Sequence, residues 1–311
     1  MRLCTEIGLW ATFSKPHAYF KHRQIFNMRR IHLLTILLAA QQLCAQPYVD
    51  LAAVKYQYSP DAGIFRRNYH PNHFTYGAVG LNIPIVFKDS SVLLLGPSAE
   101  QWQIRSEALP DIPPVFKGLA LPLTFIKPLN TIWTATVVFV PRWNGAATFH
   151  FNNTMQAGGA VLLTYKKRAD LKYKFGLYYN REFFGNFFIP LVGIDWKINN
   201  RLQLFGVLPG NVVLERKVSR HFYYGATFRA ITTSYRYGDL KNFLRIDDNQ
   251  LQAFADWYLT KTIVLNAEAG HSVLRRFRTG ITHGDPKYEV DDKFNDNVLL
   301  RVALLYRMRF Q

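Results

Sequence analysis

From residue 48 to the C-terminus the chain alternates apolar and polar positions with a period of two. In the final stretch Val298, Leu300, Val302, Leu304, Tyr306, Met308 and Phe310 fall on one side, and Leu299, Arg301, Ala303, Leu305, Arg307 and Arg309 on the other. That is a strand with one wholly apolar face and one mixed, basic face. In 171–182 the apolar set Leu171, Tyr173, Phe175, Leu177 and Tyr179 alternates with Lys172, Lys174, Gly176, Tyr178, Asn180 and Glu182. In 262–274 Ile263, Leu265, Ala267 and Ala269 alternate with Val264, Asn266, Glu268 and Gly270. The pattern predicts strands at 48–58, 72–87, 91–105, 118–127, 131–141, 156–167, 171–182, 189–198, 202–207, 212–218, 222–236, 249–258, 262–274 and 297–310.

The connections alternate as well. Lys88–Ser90, Pro128–Asn130, Arg168–Asp170, Asn199–Arg201, Ser219–His221 and Leu259–Lys261 are short. The intervening connections 59–71, 106–117, 142–155, 237–248 and 275–296 are long, while 183–188 and 208–211 are shorter. Short turns at one end and long loops at the other are the organisation of an outer-membrane barrel. The expected fold class is therefore all-β: an antiparallel transmembrane β-barrel of about 14 strands, within a range of about 12 to 16. Both termini then lie on the periplasmic side.

A membrane barrel also gathers aromatics on its outer face near the bilayer interfaces. With the short turns set at one level, Trp133, Tyr165, Tyr173, Trp196, Phe222, Tyr224, Trp257, Tyr306 and Phe310 all fall near it with outward parity. They form the expected periplasmic girdle. The competing reading is a soluble β-protein whose aromatics fill a core.

The N-terminal region changes the compartment. Met28-Arg29-Arg30 precedes an apolar run from Ile31 to Ala40, then Gln41-Gln42-Leu43-Cys44-Ala45. A basic start, a run of this length and a small residue before the cut are the grammar of a secretory signal. The run is too short to cross a bilayer as a helix. Residues 1–27 are read as an upstream extension of a start at Met28, 28–45 as a signal peptide cleaved after Ala45, and 46–311 as the barrel domain. Sec-type export to the outer membrane follows. Cleavage removes six basic residues and one acid, so the formal charge falls from +17 to +12. Both cysteines, Cys4 and Cys44, leave too. That excludes a Cys nucleophile or a Cys-based metal site, and suits an oxidising compartment. Lys and Arg are spread thinly instead of gathered on one helix, which argues against nucleic acid as a partner.

The stretches GLALPLTFIKP, IPLVGIDWKINNRLQLFGVLP and AEAGHSVLRRF resemble an uncharacterised family of outer-membrane barrel proteins of Gram-negative bacteria, over most of 47–311. The resemblance implies a place and a fold and no activity. A terminal strand ending in an aromatic also resembles the signal read by the barrel-assembly machinery, with Phe310 as the recognition residue; Gln311 departs from the usual terminal position.

Inward parity collects Lys166, Lys172, Lys174, Lys197, Lys217, Arg229, Arg301, Arg307 and Arg309, against Glu182, Asp195, Glu215, Asp256 and Glu268. A net positive lumen would favour anionic solutes. The same residues are equally read as a polar filling of paired charges, because fourteen strands lie between a filled barrel and an open channel. At the outer end Arg66, Arg67, Arg142, Arg275, Arg276 and Arg278 form a cationic rim. Of these Arg275, Arg276 and Arg278 are the candidates for holding lipopolysaccharide phosphates, which Arg suits through its bidentate fork. No cofactor is expected. His271 and Ser272 are neighbours on a strand and point to opposite faces. His70 and His73 flank Pro71-Asn72 and read as solvated loop histidines before a metal pair. No GxSxG, HExxH or phosphate-binding Gly loop occurs. The expected function is a passive pore or binding barrel for small, anionic solutes; the alternatives are a structural or surface-interaction barrel with a blocked lumen, and then an outer-leaflet lipid enzyme.

Overall fold

A computed structural model describes residues 47–60, 72–107, 109–146, 151–238, 241–283, 285–292 and 296–310. The expected signal segment, the two cysteines, Arg66, Arg67 and His70 lie outside the described residues.

The alternation becomes fourteen antiparallel staves. The first four are β1 (Tyr48–Ser59), β2 (Asn72–Leu81) continued by β3 (Ile83–Val86), β4 (Val92–Leu95) continued by β5 (Ser98–Ser106), and β6 (Val115–Ala120) continued by β7 (Leu123–Pro128). Then come β8 (Trp133–Ala146), β9 (Met155–Arg168), β10 (Leu171–Glu182), β11 (Gly185–Lys197), β12 (Leu202–Leu208) and β13 (Asn211–Lys217). The last are β14 (Phe222–Tyr237), β15 (Asn242–Tyr258), β16 (Ile263–His283) and β18 (Val298–Arg309); β17 (Asp285–Asp292) pairs with the upper end of β16. Each stave pairs with its sequence neighbour. β18 pairs with β1 from Tyr48↔Arg309 to Tyr58↔Leu300 and closes the cylinder.

The outer face is a belt of large apolar side chains. Val54, Phe175, Leu177, Val192, Leu265, Val302 and Leu304 are 41–56% exposed and come from five different staves. In water such a continuous patch has no stable place. Against hydrocarbon it is matched, and closure leaves no unpaired strand edge there. The chain is a transmembrane β-barrel of the outer-membrane type. About ten residues suffice for a tilted strand to span the core. With 16, 17 and 21 residues, β14, β15 and β16 rise well above it.

The short turns are tied by side-chain caps. Asn130 Oδ1 accepts from the amides of Ile132 and Trp133, both at 2.8 Å. Asn199 Oδ1 does the same for Arg201 and Leu202, and Thr260 Oγ1 accepts from Ile263 at 2.9 Å. These are the Asx and ST turns that such residues favour. In the turn after Val86, the amide and hydroxyl of Ser91 hold the Asp89 carboxyl below its ordinary pKa.

Three staves expected to be continuous are broken at one level, at Asn82, at Gly96-Pro97 and at Leu121-Pro122. Proline has no N–H to give the ladder. Local bonds replace it: Gly96 N donates to Pro122 O at 2.8 Å, and Leu121 N to Pro141 O at 3.0 Å. Two expected loops are mostly strand instead. Most of 237–248 and 275–296 lies in β15, β16 and β17, because the wall continues above the bilayer.

The upper lumen is not empty. Above the two-residue link Pro209-Gly210 the wall formed by β12 and β13 stops. There β14 crosses toward β8, and Arg236 pairs in parallel with Gly145. Phe74, Trp102, Ile104, Phe116, Tyr235, Leu244, Ile246, Phe277 and Leu299 meet beneath that crossing, each at most 2% exposed. They come from seven staves around the ring. Phe74 lies 5.1 Å from Trp102, and Phe116 lies 5.6 Å from Tyr235, centroid to centroid. Full burial of each such side chain contributes roughly 1.5–3 kcal/mol. The result is an apolar roof over the lower lumen.

Candidate functional site in the barrel lumen

Below the roof is a cavity of about 610 Å³. Its lining mixes charged and polar side chains with apolar ones, and the charged groups fall at three levels.

At the top, Glu100 of β5 accepts from two tyrosines. Tyr76 Oη donates to its Oε2 at 2.9 Å, and Tyr235 Oη donates to its Oε1. Tyr235 belongs to the roof and Tyr76 packs against it. This carboxylate therefore joins the cavity to its ceiling and fastens β14 to β2 and β5.

At the middle level, Arg229 of β14 grips Glu268 of β16 through both terminal nitrogens, with Nη2 to Oε1 at 2.8 Å. Arg301 Nη1 of β18 lies 3.8 Å from the same carboxylate. Gln57 holds Arg301 Nε at 3.0 Å. Lys55 of β1 also lines this level.

At the bottom, Arg307 bonds Asp256 at 2.6 Å and also Asp50. Its guanidinium stands 3.6 Å over the Tyr48 ring. Arg309 pairs with Glu215 at 2.8 Å, and its guanidinium is 3.8 Å from the Tyr223 ring. Lys174 and Asp195 pair at 2.7 Å on the facing wall.

The structure places Arg229, Asp256, Glu268, Arg301 and Arg307 on the cavity. Lys174, Asp195 and Glu215 are buried in their own pairs. Glu182 is buried in the upper part of the barrel with Arg142, Asn180, Gln156 and Ser234. Lys172 is half-buried, whereas Lys166, Lys197 and Lys217 are exposed close to the short turns.

The expected net positive lumen needs correction. Lys55, Arg229, Arg301 and Arg307 line the cavity together with Asp50, Glu100, Asp256 and Glu268. The positive excess is local, at the middle level. Strand parity already aimed Lys55, Tyr76 and Glu100 inward, although they were not among the candidates. Asp50 was hidden, because the register shifts between Asp50 and Ala52 and reverses which parity faces in.

On the outer face, Trp133 packs on Tyr165 at 5.0 Å and Phe222 on Trp257 at 5.4 Å. Tyr173 is the cross-strand partner of Tyr165, Trp196 of Leu171, and Tyr306 of Ile263. Tyr224 is exposed, and Phe310 N donates to Pro47 O beside the first stave. Near the opposite end Tyr58, Phe139, Tyr179 and Phe188 are also exposed, a second aromatic level that the sequence reading did not draw.

Of the rim candidates, Arg275 is a correction. It is 1% exposed, with Nε donating to Asp248 Oδ1 at 2.9 Å and Nη1 to Ser59 Oγ at 3.0 Å. Arg276 lies 3.6 Å from Asp291, and Arg278 pairs with Asp247.

His271 and Ser272 form no nucleophile–base pair: His271 Nδ1 faces the Ser272 carbonyl at 2.7 Å, while Ser272 Oγ accepts from Asn297 N at 2.8 Å. Among the described residues no group of three or more His, Cys, Asp or Glu gathers as a metal site. No described helix is long and apolar enough to cross a membrane.

Solved barrels of similar shape include the NanC porin, with 9% identity, TM-score 0.38, and coverage of 83% of this chain and 100% of that one. An outer membrane channel from Pseudomonas putida F1 shares 11% identity at TM-score 0.42, over 83% and 94%. The KdgM porin shares 10% at TM-score 0.34, over 82% and 98%. At such values the likeness carries no solute and no mechanism over to this chain. No curated protein matches it in sequence. Residues 105–307 match the family described as "Domain of unknown function (DUF6268)".

Proposed function

Because the chain belongs to that domain-of-unknown-function family, which supplies no reaction, we propose from the lumen itself that it is a passive pore or binding barrel for small solutes. The observation that carries this reading is the cavity of about 610 Å³, with charged side chains in its lining, inside a cylinder facing lipid. A volume of this order suits a small ligand. The roof makes the described state a closed one, so passage requires β14 to move away from Glu100. In this reading the chain is exported by the Sec route through the signal at 28–45, and Phe310 presents the last stave to the barrel-assembly machinery. The outer rim meets lipopolysaccharide through Arg276 and Arg278, with Arg275 excluded by its burial.

A second reading, a structural barrel with a permanently blocked lumen, is favoured by the packing of the roof. Planar-bilayer recording of the purified, heat-modifiable barrel separates the two. We expect discrete conductance steps divided by long closures. Complete silence from protein that migrates as a folded barrel would reject the pore and leave the blocked barrel.

A further inference from the structure

We infer that the middle level of the cavity is a binding site for a small oxyanion, a carboxylate or a phosphate, built by Lys55, Arg301 and Arg229. This deepens the pore reading and relies on it for how the solute arrives.

The register brings these groups together. Gln57 of β1 is the partner of Arg301 on β18, and Arg301 is the partner of Glu268 on β16. Lys55 follows Gln57 on the same inward face, one step closer to the short turns. Arg229 reaches Glu268 from β14. Three cations thus share a single carboxylate. Arg229 occupies both of its oxygens, and Arg301 is left at 3.8 Å. The half-buried Lys55 ammonium has no hydrogen-bond acceptor or ion-pair partner among the described residues.

The other charges on the cavity are already committed. Arg307 satisfies Asp50 and Asp256, and the two tyrosines satisfy Glu100. None of these carboxylates hydrogen-bonds Lys55. A half-buried ammonium without an acceptor is costly, and a ligand oxyanion supplies the missing acceptor. An Arg beside a Lys suits a carboxylate or a phosphate, which offers several acceptor oxygens at once. A neutral solute gains nothing from the excess charge.

The test is calorimetric titration of the full, detergent-folded barrel with sodium acetate, with inorganic phosphate and with uncharged glycerol. We expect at least one of the two anions to bind and glycerol not to. K55Q should weaken the bound anion by tenfold or more, and K55R should recover most of the loss, with heat-modifiable migration retained in both. Acetate alone binding identifies a carboxylate site, and phosphate alone a phosphate site. Undiminished anion affinity in folded K55Q, or no anion binding to the folded wild type, overturns the site. A barrel silent in bilayers that still binds an anion through Lys55 loses the pore reading and keeps the site. A conducting barrel whose K55Q variant binds the anion unchanged keeps the pore and loses the site.

Discussion

Leu274 sits in the wall of β16 with φ at 55°, a left-handed conformation that is unfavourable for a branched side chain. Asp296 holds it there, accepting from Leu274 N at 3.0 Å and from Arg275 N at 2.8 Å. Opposite this point the register shifts between Asp247 and Asn249. The extra residue turns Arg275 inward, where Asp248 meets it at 2.9 Å and the Phe74 ring lies 4.6 Å away. The alternation ends at 274 and puts Arg275 in a rim loop, and nothing in LRRFR marks the bulge, so its burial was not legible. Lys55, by contrast, obeys simple parity. Removing one partner of a buried pair typically costs about 3–5 kcal/mol, whereas replacing both with apolar residues is often neutral. R275Q should therefore lower the midpoint of heat-modifiable unfolding sharply, and R275M combined with D248L should restore much of it. R276Q, at a more exposed pair, should change the midpoint little.

The element that decides the state of the lumen is β14. Its lower half is an ordinary stave, with Phe222 opposite Trp257 and Arg229 opposite Gln250. Its upper half has two buried faces. Tyr235 points into the roof, while Ser234 Oγ donates to Glu182 Oε2 at 2.6 Å on the other side. The shortness of 202–207 and 212–218 was visible in the chain, yet its consequence was not. Once those two staves end, β14 loses its neighbour and finds β8 instead. The upper parts of β15 and β16 look like loops in the chain because Arg245, Asp247, Asp248, Arg276 and Arg278 dilute the alternation in a wall that has left hydrocarbon. Y235A removes both a roof ring and the bond to Glu100. It should raise the frequency of open steps in bilayer recordings severalfold while heat-modifiable migration persists. An unchanged opening frequency would show that β14 is not the moving part.

For the molecule as a whole, position relative to lipid is the governing quantity. The alternation, the six short turns and the closing pair of first and last staves were all readable, since each follows from a period of two under a membrane constraint. Leu177 lies midway along β10 and is 49% exposed on the belt. L177R places a charge in the apolar core, and should destabilise the barrel by about 2–4 kcal/mol, measured by denaturant titration in vesicles. Finally, the roof recruits Phe74 near one end of the barrel sequence and Leu299 near the other. A nascent sheet missing either end is an open gutter with an incomplete lid. Insertion of the last stave must then both weld the seam and cap the vessel, so any intermediate caught before that moment would leak.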